Sequence, residues 1–136
     1  MNDIRAHLPH RHPFLLVDRV LEREPGLRVL AEKLVTLNEP HFQGHFSERP
    51  ILPGVLMLEM LAQAAGFLEV ESLHGQTIFL AGIQDARFKA PAFPGDRLLL
   101  EVTPEGSFGG LMRVKGMVKC EGKILCTAQL TIKKGA

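Results

Sequence analysis

Residues 51–68 read ILPGVLMLEMLAQAAGFL, an apolar run in which Glu59 and Gln63 are the only polar side chains. Pro53 and Gly54 favour the start of a helix, and helix-forming residues continue to about Leu73. A helix of this length has about 20 residues, and apolar side chains cover nearly every face of it. The pattern therefore predicts one long helix that the rest of the protein encloses.

A run of this length also raises the question of a membrane span, because about 20 apolar residues cross a bilayer. The composition argues against a span. Belts of basic or aromatic residues do not flank the run, and it is interrupted by Pro53, Gly54, Glu59, Gln63 and Gly66. We therefore expect a helix buried in protein and no membrane span.

Strand patterns lie on both sides of this helix. Apolar stretches at residues 14–20 and 27–36, with a Glu24-Pro25-Gly26 turn between them, predict a hairpin. After His74 and Gly75, alternating apolar and polar residues predict four more strands, at residues 77–88, 97–103, 111–119 and 123–133. Two strands, one apolar helix and four strands predict an α+β fold in which a curved antiparallel sheet wraps around a single helix.

Length, charge and cysteine content narrow the class of protein. The 136 residues contain no linker or low-complexity segment, so we expect a single domain over residues 1–136. A formal net charge of +1 argues against a nucleic-acid partner. Cys120 and Cys126 occur in a sequence without a secretory signal, which favours reduced thiols and a cytoplasmic location.

Glu59 is the residue that most needs a functional explanation. Burying an ionised carboxylate without a partner is costly, so such a group takes up a proton, finds a partner or serves a chemical purpose. His45, in Gly44-His45-Phe46, precedes it by fourteen residues, and a carboxylic acid and an imidazole can act as a general acid–base pair. Two structural interpretations stay open, a buried partner for Glu59 and a simple turn position for His45.

Two further positions on the helix are candidates for the same site. Gly54 begins the helix, where unpaired N–H groups and the helix dipole could stabilise an oxyanion, or could mark only a helix start. Gln63 follows Glu59 by one helical turn and could orient its carboxyl group or contact a partner chain.

Two histidine pairs could be taken for metal ligands, His10 with His12 and His41 with His45. Prolines flank the first pair, and no cluster of carboxylates or thiolates accompanies either pair. We therefore expect no metal site.

Recognisable motifs run in order from Leu8 to about Val102. They are Leu8-Pro9-His10-Arg11, Pro13-Phe14-Leu15-Leu16-Val17-Asp18-Arg19, Asn38-Glu39-Pro40, Phe42-Gln43-Gly44-His45-Phe46, Pro53-Gly54-Val55-Leu56, Glu59, Ala62-Gln63, Ala81-Gly82-Ile83, Phe88-Lys89 and Pro94-Gly95-Asp96. With these motifs the chain resembles the FabZ-type 3-hydroxyacyl-[acyl-carrier-protein] dehydratases, and the most specific blocks are Gly-His-Phe and Pro-Gly-Val-Leu at their separation.

The resemblance implies a hot-dog fold and a homodimer whose two sheets join, with three dimers able to form a hexamer. It implies an active site at the dimer interface, with His45 from one chain and Glu59 from the other. The substrate would be a (3R)-hydroxyacyl thioester on acyl carrier protein, dehydrated to the trans-2-enoyl thioester in fatty-acid synthesis. His45 would act as base, Glu59 as acid and Gly54 as oxyanion donor, with Gln63 in support and no cofactor.

The resemblance also leaves alternatives. Related FabA-type enzymes carry aspartate in place of Glu59 and also isomerise the product, so Glu59 favours dehydration alone. The same dehydration could serve a dedicated secondary-lipid or polyene pathway, and a hot-dog thioesterase or a non-catalytic acyl-binding module are rival functions. The chain departs from the family pattern at His12, His41 and Ser47, and it has no tyrosine to form the gate of some members, a position that Phe79 could fill.

Overall fold

The computed structural model describes residues 4–42 and 50–135. Six strands form one antiparallel sheet in the order β1-β2-β4-β5-β6-β3. Two α-helices accompany them, and the elements are α1 (Ile4–His7), β1 (Arg19–Glu24), β2 (Arg28–Leu34), α2 (Gly54–Ala65), β3 (Thr77–Phe88), β4 (Arg97–Phe108), β5 (Leu111–Cys120) and β6 (Lys123–Gly135). Helix α2 contacts β2, β3, β4, β5 and β6, which confirms the predicted α+β arrangement of a sheet around one helix.

The core lies between α2 and the concave face of the sheet. Leu61, in the middle of α2, is fully buried and packs directly on Gly116 of β5. A Cβ atom at position 116 would lie 2.9 Å from a Leu61 methyl carbon, so the absence of a side chain there lets the helix approach the strand. In β6, alternate residues face this core, and Cys126, Ala128, Leu130 and Ile132 are all buried.

Helix α2 ends earlier than the sequence predicted. It has 12 residues and stops at Ala65, after which a single 3-10 turn covers Gly66–Leu68. The expected continuation to Leu73 was wrong because side chains from other elements take the carbonyl groups that a longer helix would use. His7 Nε2 donates to the Gly66 carbonyl (2.7 Å), and Arg23 Nε donates to the Phe67 carbonyl (2.8 Å).

The first strand also begins later than predicted, at Arg19 rather than Phe14. The backbone groups of Phe14 and Leu16 bond to the side chain of Gln63 on α2, so they do not bond to a neighbouring strand. The hairpin itself is confirmed, since β1 pairs with β2 and Gly26 turns the chain with a φ of 79°. The segment before Arg19 therefore lies along the helix that carries Glu59.

Both cysteines are free thiols, and Cys126 is a buried core residue. Burial raises the pKa of the Cys126 thiol to about 11. Within residues 4–42 and 50–135, none of the helices has the length and apolar character needed to cross a bilayer.

Candidate active site

Glu59 lies in the middle of α2, and the segment that precedes β1 covers its carboxyl group. Its side chain is 18% exposed. Burial raises the pKa of Glu59, and a hydrogen bond from Gln63 opposes part of that rise. A carboxyl group in this setting can hold a proton closer to neutral pH than an exposed glutamate does, as a general acid requires.

Gln63 is fully buried, and each polar group of its side chain has a partner. Its amide nitrogen donates to Oε2 of Glu59 (2.9 Å) and to the carbonyl of Phe14 (2.8 Å), while its Oε1 accepts from the Leu16 backbone N–H (2.8 Å). Of the two roles that the sequence left open for Gln63, the orientation of Glu59 is the one these contacts match. Gln63 also fixes the segment that covers the carboxyl group.

Gly54 occupies the first position of α2, and no described side chain caps this end of the helix. The ring of Phe88 covers the glycine, because a Cβ atom at position 54 would lie 3.0 Å from Phe88 Cδ1. A groove of about 320 Å³ opens beside Gly54 and Phe88 and is also lined by Ile51, Leu52, Met57 and Lys89. A carbonyl group could therefore approach the positive end of the helix dipole from this groove.

The predicted base, His45, falls in residues 43–49 and lies outside the described residues, together with Gly44, Phe46 and Ser47. The connection that leads towards His45 is described as far as Phe42, and a buried lysine anchors it. Lys33 is 5% exposed, and its ammonium group lies 2.8 Å from Oε2 of Glu39 and 3.7 Å from Oδ2 of Asp18. The end of β2 is thereby tied to the 3-10 turn at Pro40–Phe42.

The structure brings one unpredicted group to the site, the imidazole of His10. Its Nε2 lies 3.6 Å from Oε2 of Glu59. His10 and His12 do not share a site, since His10 lies against the helix while His12 is exposed. Among the described residues, no group of three or more histidine, cysteine, aspartate or glutamate side chains converges on a point that could hold a metal ion.

No pattern in the sequence linked His10 to Glu59. It lies 49 residues before Glu59, and only the packing of the amino-terminal segment on α2 brings the two together. Lys33 was missed for a similar reason, because a lysine in a strand is ordinarily exposed and its burial depends on carboxylates from two other segments.

A family match and similar relatives both identify the family of this chain. Residues 8–129 match the family described as a FabA-like domain. The 3-hydroxyacyl-[acyl-carrier-protein] dehydratase FabZ of Klebsiella pneumoniae subsp. pneumoniae is 50% identical over 134 residues, which cover 96% of this chain and 89% of the relative. The FabZ protein of Salmonella arizonae matches with the same identity and coverage.

Solved structures with low sequence identity share the fold. The dehydratase heterocomplex ApeI:P from Xenorhabdus doucetiae matches with a TM-score of 0.82 at 23% identity, over 98% of this chain and 91% of that chain. A hypothetical thioesterase from Streptococcus pneumoniae, solved with coenzyme A, matches with a TM-score of 0.64 at 11% identity, over 87% and 85% of the two chains. Dehydratases and a thioesterase thus have the same hot-dog fold, so the fold alone does not distinguish these activities.

Proposed function

The chain belongs to the FabZ-type 3-hydroxyacyl-[acyl-carrier-protein] dehydratases, and we propose that it eliminates water from (3R)-3-hydroxyacyl thioesters with Glu59 as the acid and His45 as the base. The observation that carries the proposal is the carboxyl group of Glu59, which is largely buried on the central helix with its pKa raised. Gln63 holds that carboxyl group from one side, and such an arrangement suits proton donation.

The elimination moves two protons. His45 takes the proton from C2 of the substrate, and the C2–H electrons form the new C2–C3 double bond. The C3–O bond breaks, and the hydroxyl leaves as water with the proton of Glu59. The backbone N–H of Gly54 stabilises negative charge on the thioester oxygen. Because the thioester already acidifies C2, the reaction requires no metal or organic cofactor.

The positions of Gly54 and Glu59 on α2 support a site shared by two subunits. Glu59 follows Gly54 by five positions, so they lie about 7.5 Å apart along the helix axis and about 140° apart around it. Gly54 faces Phe88 and the groove, whereas Glu59 faces the segment that carries His10 and Phe14. A single substrate must contact both Gly54 and Glu59. It does so most simply when Gly54 and His45 come from one chain and Glu59 comes from its partner.

The open edge of the sheet supports the dimer. Strand β3 has 12 residues and pairs with β6 on one side, while no described strand pairs with its other side. Phe79 and Ile83 are each about half exposed along this strand. The unpaired N–H and C=O groups of an apolar edge strand can hydrogen-bond to a strand of a second sheet. We propose that two β3 strands join the sheets of a homodimer, and that three dimers can form a hexamer.

The partner that delivers the substrate is acyl carrier protein, with the acyl chain attached through phosphopantetheine. We assign the activity to fatty-acid synthesis, and therefore to the cytoplasm, because the relatives named as FabZ are 50% identical to this chain.

The proposal is tested with 3-hydroxybutyryl and crotonyl thioesters of acyl carrier protein, in one assay that records enoyl absorbance and in a parallel assay that records free thiol. The expected result is interconversion of the two thioesters without thiol release. Thiol release without enoyl formation would identify a thioesterase. Tight binding with neither reaction would identify an acyl-binding module, and either result would overturn the proposal.

A further inference from the structure

His10 approaches Glu59 from the segment that covers α2. The side chains of His10 and Glu59 are 14% and 18% exposed, and His10 Nε2 lies 3.6 Å from Oε2 of Glu59. This separation is longer than a hydrogen bond, but contacts of catalytic groups are often long before substrate binds and shorten when it does. His10 is therefore placed to interact with the carboxyl group during the reaction.

The backbone around His10 is held in place independently of Glu59. Arg11 Nη1 donates to the carbonyl of Leu8 (2.8 Å) and to the carbonyl of His10 itself (2.7 Å). Leu8 is fully buried against Gly66, where a Cβ atom would lie 2.7 Å from a Leu8 methyl carbon. Gln63 fixes the same segment farther along, at Phe14 and Leu16. The imidazole thus projects from a segment that is attached at one end to the 3-10 turn at Gly66 and at the other end to Gln63 of α2.

The surroundings of the ring determine which nitrogen carries the proton. Nδ1 of His10 is buried and has no hydrogen-bond partner among the described residues. A buried N–H without an acceptor is rarer in proteins than a buried acceptor without a donor. Burial lowers the pKa of His10, which favours the neutral ring near pH 7. The neutral ring therefore carries its proton on Nε2, directed at Glu59.

The two oxygens of the Glu59 carboxyl group consequently differ. Oε2 accepts from Gln63 Nε2 and faces the N–H of His10, while no described residue hydrogen-bonds to Oε1. An acid proton on Oε2 would face two donors, so the proton belongs on Oε1. We propose that His10 is a positioning residue for the dehydration, which together with Gln63 holds Oε2 so that Oε1 carries the transferable proton.

This role, which rests on the proposed dehydratase function, matters most after proton transfer. When the O–H bond at Oε1 breaks and water leaves, Glu59 becomes a carboxylate in a largely apolar setting. Hydrogen bonds from Gln63 and His10 to Oε2 then stabilise the negative charge without any further proton being supplied. The proton taken from C2 stays on His45 and returns to Glu59 through solvent before the next turnover.

The same contact predicts how the rate depends on pH. The groups that face the Glu59 carboxyl among the described residues are Gln63 on α2 and His10 on the covering segment, of which only His10 titrates. A donor to the carboxylate stabilises the charged form and so lowers the pKa of Glu59. Removal of the donor raises that pKa. Because turnover needs protonated Glu59, the alkaline limb of the rate profile then moves to higher pH.

The test compares four variants of the full-length protein, His10→Leu, His10→Gln, His10→Asn and the exposed control His74→Leu, by kcat, KM and the pH profile of kcat. A glutamine amide can reach the position of Nε2, whereas an asparagine amide reaches only that of Nδ1. We expect His10→Leu and His10→Asn to lose about tenfold in kcat, with KM little changed. In both variants the alkaline limb of the kcat profile moves to higher pH. His10→Gln recovers to within about threefold of wild type, and His74→Leu is unchanged.

Thermal unfolding of each variant identifies a loss of fold. If His10→Leu does not fold, the comparison of His10→Gln with His10→Asn tests the role of His10. Equal kcat values for these two variants, with pH profiles that match wild type, would overturn the role of His10. An inactive wild-type protein would instead overturn the proposed function, and this inference with it.

Discussion

Glu59 must be protonated before it can donate a proton to the leaving hydroxyl group, and it must tolerate a negative charge after the transfer. Burial serves the first need by raising its pKa, and the hydrogen bond from Gln63 serves the second. We expect Glu59→Gln and His45→Ala each to lose at least about tenfold in kcat, because each removes one proton-transfer group. Circular dichroism should show an unchanged fold. Full turnover in a folded variant would remove that residue from the mechanism.

The raised pKa of Glu59 also predicts an effect on stability. A carboxyl group whose pKa is raised by folding destabilises the folded state as pH increases from its unfolded pKa through its folded pKa. Glutamine does not titrate, so Glu59→Gln should gain stability relative to wild type across that window and keep the gain at pH 8. Urea unfolding at pH 4 and pH 8 measures the difference. A variant whose stability relative to wild type is the same at both pH values would show that Glu59 is not destabilised by burial.

At the level of single residues, the sequence identified the polar groups of the helix but not their environment. Glu59 and Gln63 stood out because the run around them is apolar. His10 stood out only in a histidine pair and in a family motif, and Lys33 did not stand out at all, because their neighbours in the sequence gave no sign of burial. Both become part of the site region through contacts between segments that are far apart along the chain, and such contacts leave no local pattern.

Among the elements, the connection between β2 and α2 depends on a buried ion pair. Lys33 bridges Asp18 and Glu39, and its removal leaves a carboxylate with 15% exposure without its cation. We expect Lys33→Met to destabilise the fold by about 3 kcal/mol, as breaking a buried pair does. The matched control is Lys119→Met, which removes an exposed pair with Glu101 and should cost less than about 1 kcal/mol. Equal unfolding midpoints in urea for the two variants would contradict the anchoring role of Lys33.

The six strands and α2 were predictable in order and type, whereas helix α1 and several boundaries were not, among them the end of β4 at Phe108 rather than Thr103. Alternation and turn residues identified all six strands, because a half-buried strand shows its period in the sequence. Helix α2 and strand β1 differ from the prediction at Ala65 and Arg19, where His7, Arg23 and Gln63 bond to the backbone. Side chains from other segments set these boundaries, so local propensity did not reveal them.

On the scale of the whole molecule, β3 decides whether the protein can form the proposed dimer. Ile83 is 50% exposed on this edge strand, and a charge there opposes pairing between two sheets. We expect Ile83→Glu to be monomeric by light scattering and to lose dehydratase activity. Leu27→Glu is the control, since Leu27 is 68% exposed in the β1–β2 turn at the other edge of the sheet. A dimeric Ile83→Glu variant would show that β3 does not form the interface.

In the proposed dimer the acid and the base of one site come from two chains, and subunit exchange between His45→Ala and Glu59→Gln tests this arrangement. Random exchange makes about half of the dimers mixed, and each mixed dimer has one intact site of two, so the mixture should regain about a quarter of wild-type activity. Mass spectrometry of differently labelled chains measures the exchange. Exchange without any recovery of activity would place His45 and Glu59 of one chain in the same site and overturn the shared site.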